Sequence, residues 1–451
     1  VTFEQSSAQL RELLKSGVLK MTDLRDDPAW FFEAHRIIAG HPELGGGFWT
    51  RFTVQYNLFA GTIIAVGNPS QVEQLNSMQD LGQLGCFGLT EKFAGVSSGM
   101  VVETIAEYDS ATQEFILQTP NEGAKKNWIS QGFCADKSVV VADLRLGGTS
   151  HGPHAFLIDF RVTRNGTAEL VPGISLADMG RKTVANDLDN AWIAFDRVRV
   201  PRSSLLDRFG GLDENGQYVA KVKGIPAMAQ IGQRLYTGRV AVAQAAIIFG
   251  QQLFARTRAY ADKKLCWAPN GLRPPLSMLP QINGLFSQAD EALAYLERYA
   301  QLCEENLIAA LTADQLPSPK LVDSIAVAKI RATETVVQLG FRLKQVVGSY
   351  ALMADTGFEA LDGMQIAKFA EGESFVLMQK LARDRVRGAK PDVGSSEEQA
   401  VVADLSKGSP ADWVNKADSV YHLAELVMDR TMQEWTGNAL PHGVARPWAR
   451  L

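Results

Sequence analysis

The chain has 451 residues, of which 46% are hydrophobic and 21% are charged, and its formal net charge is −5. This length exceeds what one compact core usually supports, so we expect two or three domains. The composition is that of an ordinary globular protein. The small negative charge and the lack of a dense Lys/Arg cluster argue against nucleic acid as a partner.

The cysteines and histidines of the sequence do not suggest a metal centre. Four widely spaced cysteines without a CxxC motif predict reduced thiols in an intracellular protein. His151 and His154 form an HGPH pair, but a zinc site requires further ligands that the neighbouring sequence lacks. We therefore interpret HGPH as a turn between two strands and expect no metal site.

Neither a membrane span nor a secretory signal is evident in the sequence, but its last residues resemble a targeting signal. The sequence has no run of eighteen or more uncharged apolar residues, so we expect no membrane span. The N-terminal residues lack the basic and apolar regions of a secretory signal. The last three residues, Ala449-Arg450-Leu451, are a conservative variant of the SKL signal and predict a peroxisomal location. A chance match, or another organelle after removal of a transit peptide, is the alternative.

Helix-spaced apolar residues dominate the first 82 residues, for which we predict an N-terminal helical domain (1–82) with a scaffold role. Asp27 before Pro28 and Asn68 before Pro69 have the residue types of an N-cap and first helical position. They predict the starts of two of the helices. The predicted helical segments are 7–38 with a break at 25–28, 48–64 and 70–80.

The pattern changes at residue 83, and short β-branched or aromatic runs follow as far as residue 206. Turn signals such as Asp109-Ser110 and Gly147-Gly148 separate these runs and predict a central antiparallel β-barrel domain (83–206). No helical pattern interrupts them, and no GxGxxG precedes a helix, so a Rossmann fold is not supported. The predicted strands cover 100–107, 114–119, 137–142, 154–162 and 191–198.

Long helical periods return after a linker at 206–225 and predict a C-terminal four-helix bundle (207–390), followed by a short helical extension (391–451). With the preceding domains, this defines an α+β fold. The predicted bundle helices are 227–262, 281–312, 319–348 and 364–386, and a final helix is predicted at 411–435.

Residues 85–132 combine a small-residue loop with a tryptophan followed by a hydroxyl residue. Glycines allow backbone N–H groups to approach polar atoms, and an indole face can stack on a ring. The stretch therefore suits a flat, aromatic, partly charged ligand.

Five motifs make the chain resemble the acyl-CoA oxidase and acyl-CoA dehydrogenase superfamily of flavoproteins, and it is more similar to the oxidases. The most specific of the five are the YD…TQEF strand pair, at 108–117, and the segment that begins LDN, at 188–206. The motifs are GCFGLTE at 85–91, YDSATQEFIL at 108–117, AKKNWISQG at 124–132, LDNAWIAFDRVRVPRSSLL at 188–206 and AEGES at 370–374.

The resemblance implies an FAD held between the β domain and the bundle, usually across the contact of a homodimer. It places Thr90 beside the flavin pyrimidine, Trp128 near the ring and Ser130 within reach of the reactive ring nitrogen. It also implies that Gly95 belongs to the loop that meets the pyrophosphate and that Gly348 belongs to the turn around adenine.

The same resemblance assigns Glu371 as the base that removes the α-proton of an acyl-CoA. That proton is only weakly acidic, so its removal requires a carboxylate within hydrogen-bond reach. The competing interpretation is that Glu371 is only an acid favoured at a helix N-terminus. Glu373, two residues further on, is also a glutamate and could be mistaken for the base. Arg239 is a candidate contact for acyl-CoA, with a solvated helix arginine as its alternative.

Three departures from the family pattern leave three functions open. Val96 follows Gly95 where the family has a hydroxyl residue, Lys263 and Lys264 stand where it often has arginines, and the Gly-rich adenine turn is thinned. The leading prediction is oxidation of a fatty acyl-CoA to trans-2-enoyl-CoA with oxygen as acceptor and hydrogen peroxide as product. The alternatives are a dehydrogenase that passes electrons to a protein, favoured by Ser130, and a flavin-poor structural subunit.

Overall fold

The computed structural model describes residues 1–95, 101–164, 166–222, 227–267, 269, 271–390, 392–408 and 410–448. The chain divides into two compact units, Val1–Gly238 and Arg239–Leu451. The mixture of helix and sheet agrees with the predicted α+β class. The boundaries of the four domains proposed from the sequence remain a prediction.

The first unit begins with helices whose predicted starts are confirmed. The Asp27 side chain accepts a 3.0 Å hydrogen bond from the Trp30 amide, and Asn68 does the same for Gln71. A π-helical segment, Val54–Ala60, joins two short helices where one continuous helix was predicted. The helices are α1 Phe3–Ser16, α2 Asp23–Asp26, α3 Pro28–Ala39, α4 Phe48–Thr53, α5 Gly61–Val66 and α6 Pro69–Asp80.

Short strands follow, more of them than the sequence predicted. Four lie in segments that were not assigned as strands, at 85–88, 126–130, 167–170 and 174–178. A further hairpin lies within the predicted linker at 206–225. The strands are β1 Gly85–Gly88, β2 Ile105–Asp109, β3 Glu114–Gln118, β4 Lys126–Ser130, β5 Lys137–Leu146, β6 Thr149–Asp159, β7 Arg161–Arg164, β8 Thr167–Leu170, β9 Ile174–Asp178, β10 Asn190–Phe195, β11 Val198–Pro201, β12 Gly210–Leu212 and β13 Tyr218–Ala220.

The predicted antiparallel β-barrel is wrong in two respects, because the sheet is neither a complete barrel nor purely antiparallel. The main sheet has the order β1-β5-β2-β3-β11, with β6 on β5, and it is a curled half-barrel. It is also mixed, because β1 and β2 both pair with β5 in parallel. A period-two pattern is the same in parallel and antiparallel strands, so the sequence could not distinguish them. A second sheet, β4-β10-β9, is antiparallel.

The β5–β6 connection confirms one predicted turn and corrects one interpretation. Gly147 and Gly148 both have positive φ, +56° and +79°, as the predicted tight turn requires. The HGPH pair lies within β6 rather than in a turn. There His151 stacks on Tyr218, and the His154 Nε2 atom lies 3.1 Å from the Tyr218 hydroxyl.

The second unit contains three long helices, and the boundary with the first unit falls within α8. Helices α8, α9 and α10 pack closely at Gly250, where a Cβ atom would lie 3.0 Å from Val336 and 3.1 Å from Leu293. The helices from residue 227 onward are α7 Ala227–Ile231, α8 Gln233–Ala261, α9 Pro280–Thr312, α10 Pro319–Val347, α11 Leu361–Met364, α12 Ile366–Phe369, α13 Ser374–Arg387, α14 Ser396–Ser406, α15 Pro410–Asn415 and α16 Ala417–Thr436.

The fourth predicted bundle helix, 364–386, is interrupted. The chain leaves the helical conformation at Glu371 and Gly372, whose φ angles are +57° and +104°, so a regular helix starts only at Ser374. Helix α13 then packs against α10, α14 and α16. The predicted four-helix bundle is therefore part of a larger helical assembly. This assembly includes α16, which was predicted to belong to a separate helical extension.

The described residues contain neither a membrane-spanning helix nor a metal-binding cluster. None of their helices combines the length and apolarity needed to cross a bilayer. No group of three or more His, Cys, Asp or Glu side chains among them has an arrangement that would hold a metal ion.

Candidate functional site

Trp128 projects from a bulge in β4. Ala191 faces Ile129 and Ile193 faces Lys126, so Trp192 alone opposes Asn127 and Trp128. Trp128 has φ of +57°, and its side chain is 57% exposed. Such bulges turn a side chain away from the regular strand direction and are common beside active sites. The bulge explains how a large aromatic side chain on β4, the edge strand of the second sheet, becomes available to a ligand.

Ser130 lies at the end of β4, opposite Asn190 on β10. The Asn190 side-chain amide donates to the Ser130 hydroxyl at 3.1 Å and to the Trp128 carbonyl at 3.4 Å. A hydroxyl that accepts one hydrogen bond still has its own proton to donate. The half-buried Ser130 hydroxyl therefore has the donor that the flavin assignment requires, and Asn190 is a residue that the sequence analysis did not single out.

Thr90 is joined to the beginning of β4. Its carbonyl accepts a 2.9 Å hydrogen bond from the Asn127 amide, and its side chain is exposed. Beneath it, Lys126 and Glu91 form a fully buried ion pair of 2.8 Å. Burial lowers the pKa of Lys126 to about 8, although Glu91 opposes the shift. The pair fixes the Thr90 loop to β4, so the structure brings Thr90, Trp128 and Ser130 together.

A second buried ion pair holds the segment after Ser130. Arg51 and Asp189 lie 2.8 Å apart, and neither side chain is exposed. Arg51 also donates to the side chain of Gln131, whose φ is +64°. The Asp189 carboxylate accepts from the amides of Phe133 and Cys134. Asp189 belongs to the LDN motif, whereas no motif in the sequence around Arg51 predicted that Arg51 would pair with it.

Gly95 is exposed and is the last described residue before a gap at 96–100. Val96, at which the family hydroxyl is missing, and the nearby Ser97 and Ser98 lie outside the described residues. Ala449-Arg450-Leu451 does so as well. The predicted contact of Gly95 with a pyrophosphate therefore remains a prediction.

In the second unit, Glu371 occupies an unusual backbone conformation between α12 and α13. Its φ of +57° is in the left-handed region, which a glutamate rarely adopts. Such strained residues concentrate at functional sites, because the surrounding structure must hold them in place. The conformation therefore supports a special role for Glu371.

Two buried cations hold this conformation. Arg239 Nε donates to the Glu371 carbonyl at 2.8 Å, and Lys329 Nζ donates to the carbonyls of Lys368 and Gly372 at 2.7 and 2.9 Å. Burial and the nearby Arg239 lower the pKa of Lys329 to about 7. Lys329 was not predicted from the sequence. The sequence did contain one sign of a special role for Lys329, because it is the single charged residue within the apolar run 325–330 of α10.

Glu373 has a separate, structural role. Its carboxylate accepts a 2.9 Å hydrogen bond from the Val376 amide and thereby caps α13. The helix N-terminal position considered for Glu371 is thus taken by Glu373. Because Glu371 lies outside the helix, its side chain is not required for capping. Its assignment as a base remains a prediction.

Gly348 ends α10 with φ of +67°, and no atom lies within 4 Å of where a Cβ would be. Two residues later, Tyr350 stacks on Tyr260 with a centroid distance of 3.7 Å and an interplanar angle of 6°. Gly348 therefore allows a turn that brings the ends of α8 and α10 together. Its contact with adenine remains a prediction.

A groove of about 510 Å³ between α8 and α9 contains none of the candidate residues. Its walls include Phe254, Arg258, Asp290 and Leu293. Volume alone does not identify a functional site, and the conformation and hydrogen bonds of Glu371 are the more specific signal.

Comparisons with known proteins agree with the fold. Residues 290–385 match the family described as acyl-CoA dehydrogenase, C-terminal domain. The chain has a TM-score of 0.77 with acyl-CoA oxidase 1 of Yarrowia lipolytica, at 18% identity over 96% of this chain and 72% of that one. It has a TM-score of 0.72 with acyl-CoA oxidase-2 of Caenorhabditis elegans bound with FAD, ascaroside-CoA and ATP, at 18% identity over 96% and 76%.

The chain is thus similar to acyl-CoA dehydrogenases and oxidases, and the predicted resemblance is confirmed. Acyl-coenzyme A oxidase 2 of Yarrowia lipolytica is 31% identical over 66% of this chain and 44% of that protein. Peroxisomal acyl-coenzyme A oxidase 2 of Arabidopsis thaliana is 27% identical over 83% and 55%. The chain spans about half the length of these curated relatives.

Proposed function

We propose that this chain oxidises a fatty acyl-CoA to a trans-2-enoyl-CoA with FAD as cofactor and oxygen as electron acceptor, and that it acts as a homodimer in peroxisomes. The names of its relatives support the reaction and the location. The observation that carries the proposal is the left-handed backbone of Glu371, held by Arg239 and Lys329 next to an α13 that Glu373 already caps.

The residues of the first unit fit the proposed flavin. Trp128 offers an exposed indole face for stacking on a ring, and the Ser130 hydroxyl keeps a proton to donate. Thr90 is an exposed residue that carries a hydroxyl, and its backbone carbonyl is hydrogen-bonded to β4. We assign these three residues, together with Gly95 and Gly348, to FAD binding. When bound, FAD would accept the β-hydrogen of the substrate in the form of a hydride.

Glu371 would remove the α-proton. A carboxylate that performs this step must keep one geometry, since a displacement of about 1 Å can cost roughly a hundredfold in rate. The three hydrogen bonds from Arg239 and Lys329 to the backbone around Glu371 meet that requirement. Arg239 is also our candidate for contact with the acyl-CoA.

The proposal is tested with the purified full chain, FAD and a saturated acyl-CoA under air. We expect a yellow protein whose flavin is bleached by substrate and which releases hydrogen peroxide. Glu371→Gln should lower turnover about a hundredfold or more, because it removes the general base. Glu373→Gln, in the same loop, is the matched control and should retain activity within a few-fold.

Other outcomes would replace the proposal. Anaerobic flavin reduction followed by slow reoxidation in oxygen would identify a dehydrogenase that uses a protein acceptor. A folded but colourless protein would favour a structural subunit. Turnover of Glu371→Gln within a few-fold of the original would remove Glu371 as the base.

A further inference from the structure

Lys329 is a buried cation that the proposed reaction does not use directly. It lies on α10 and has no exposed surface. Burial of an ammonium group is unfavourable unless hydrogen bonds compensate for lost water. At this position an alanine or leucine would fit the apolar run of the helix, so the retained charge requires another explanation.

The hydrogen bonds of Lys329 supply that explanation. Its Nζ atom donates to the carbonyls of Lys368 and Gly372, which lie on either side of Glu371 in the sequence, and it approaches the Ser374 hydroxyl at 3.5 Å. One ammonium group thus joins the end of α12 to the turn before α13. Arg239 completes the arrangement at the Glu371 carbonyl.

The charges around Lys329 agree with a role in holding backbone carbonyls. Glu334 forms a 2.6 Å ion pair with Lys368 and is therefore already paired. Glu373 caps α13. The nearby Arg239 disfavours the charged form of Lys329, whereas Glu334, Glu371 and Glu373 favour it, and burial lowers its pKa to about 7. Direct ion pairing is thus not the main contact of Lys329.

We propose that Lys329 is a positioning residue, which holds the 368–374 segment so that Glu371 keeps the left-handed conformation needed for α-proton removal. The role in catalysis rests on the proposed function, whereas the role in holding the segment does not. The two are tested separately.

The first test measures hydrogen–deuterium exchange in the full chain. Lys329→Met keeps the side-chain length but loses the donor, and exchange of a peptide covering 366–376 should become about tenfold faster or more. Lys380→Met is the matched control, because it also replaces a lysine by methionine but at a side chain that pairs with Asp323 and Asp384. It should leave exchange of 366–376 unchanged. Equal exchange in Lys329→Met and the original protein would overturn the proposal.

The second test measures turnover with acyl-CoA and with its α-deuterated form. A displaced base makes proton removal slower, so kcat of Lys329→Met should fall about tenfold to a hundredfold and its deuterium isotope effect should rise. A smaller fraction of folded protein would lower kcat without changing the isotope effect. An unchanged isotope effect together with faster exchange would overturn the catalytic role of Lys329.

A second, more conservative variant keeps the proposal testable if Lys329→Met does not fold. Lys329→Gln retains an N–H donor, and we expect intermediate exchange and an intermediate isotope effect. Values equal to those of the original protein would contradict the proposal. If the original protein has no activity towards acyl-CoA, the proposed function is refuted, while the exchange measurement still decides whether Lys329 holds the segment.

Discussion

Arg239 donates a 2.8 Å hydrogen bond from Nε to the backbone oxygen of Glu371, a residue 132 positions later in the chain. Arg239 was predicted as an acyl-CoA contact, and this bond adds a role in holding the proposed base. The guanidinium has several donors, so one contact does not exclude the other. Kinetics can separate the two roles.

Substitution of Arg239 by glutamine should distinguish them. If Arg239 mainly holds Glu371, kcat will fall about tenfold or more and KM will stay within about threefold. Steady-state kinetics over a range of acyl-CoA concentrations measures both. Arg256→Gln, on the same helix, is the control, and a rise in KM alone for Arg239→Gln would instead indicate substrate binding.

Glu371→Gly should stabilise the protein while abolishing activity. A glycine adopts the observed φ of +57° without the strain of a side chain, which is worth about 1 kcal/mol. Thermal denaturation should therefore show a higher Tm. In Glu373→Ala, the loss of the helix cap should instead destabilise by about 1 kcal/mol. A lower Tm for Glu371→Gly would argue against backbone strain.

Trp128→Ala should weaken flavin binding with little effect on stability. Trp128 is 57% exposed, so its truncation removes less buried surface than truncation of a core tryptophan would. Stacking on a ring is worth about 1 kcal/mol, so we expect roughly fivefold weaker FAD binding. Flavin fluorescence titration measures the affinity. Affinity equal to that of the original protein would remove Trp128 from the flavin site.

Arg51→Met should destabilise the first unit by about 3–5 kcal/mol, because it leaves Asp189 buried without its cation. Urea denaturation followed by circular dichroism measures the loss. Arg25→Met is a suitable control, since the Arg25–Asp26 pair is about half exposed and such pairs contribute at most about 1 kcal/mol. Equal effects of the two substitutions would contradict a special role of the buried pair.

His35 should make stability depend on pH. Burial lowers the pKa of His35 to about 4 from the usual 6.5, and Nδ1 lies 2.8 Å from the Phe31 carbonyl. As pH falls below 6.5, the unfolded chain binds a proton before the folded one does. Stability present above pH 6.5 is therefore lost towards pH 4, by about 3 kcal/mol. Urea denaturation at several pH values should show a smaller loss in His35→Phe.

The helix starts and the β5–β6 turn were predictable, because they depend on neighbouring residues. Asp27, Asn68 and Gly147 lie where the sequence placed them. The interruption at Glu371 was missed, because the helical pattern of 364–386 continues through it. Buried cations from the distant helices α8 and α10 donate hydrogen bonds to the carbonyls of Glu371 and Gly372 in the left-handed turn there.

The candidate-site residues that belong to sequence motifs could be predicted. The residues that hold them in place from distant parts of the chain could not. Thr90, Trp128 and Ser130 were found from their motifs. Asn190 lies within a recognised motif, but its hydrogen bond to Ser130 depends on the pairing of β10 with β4. Arg51 has no motif at all, and its contact with Asp189 spans 138 positions.

The amino-acid sequence by itself determined the local conformations and the family resemblance, since caps, turns and motifs depend on residues a few positions apart. The tertiary structure alone decided that β1 and β2 pair in parallel with β5, and that Arg239 and Lys329 meet the backbone around Glu371. The physical reason is that strand pairing and the burial of a charge depend on which distant segments pack together. That choice minimises the free energy of the whole fold and leaves little trace in any short stretch of sequence.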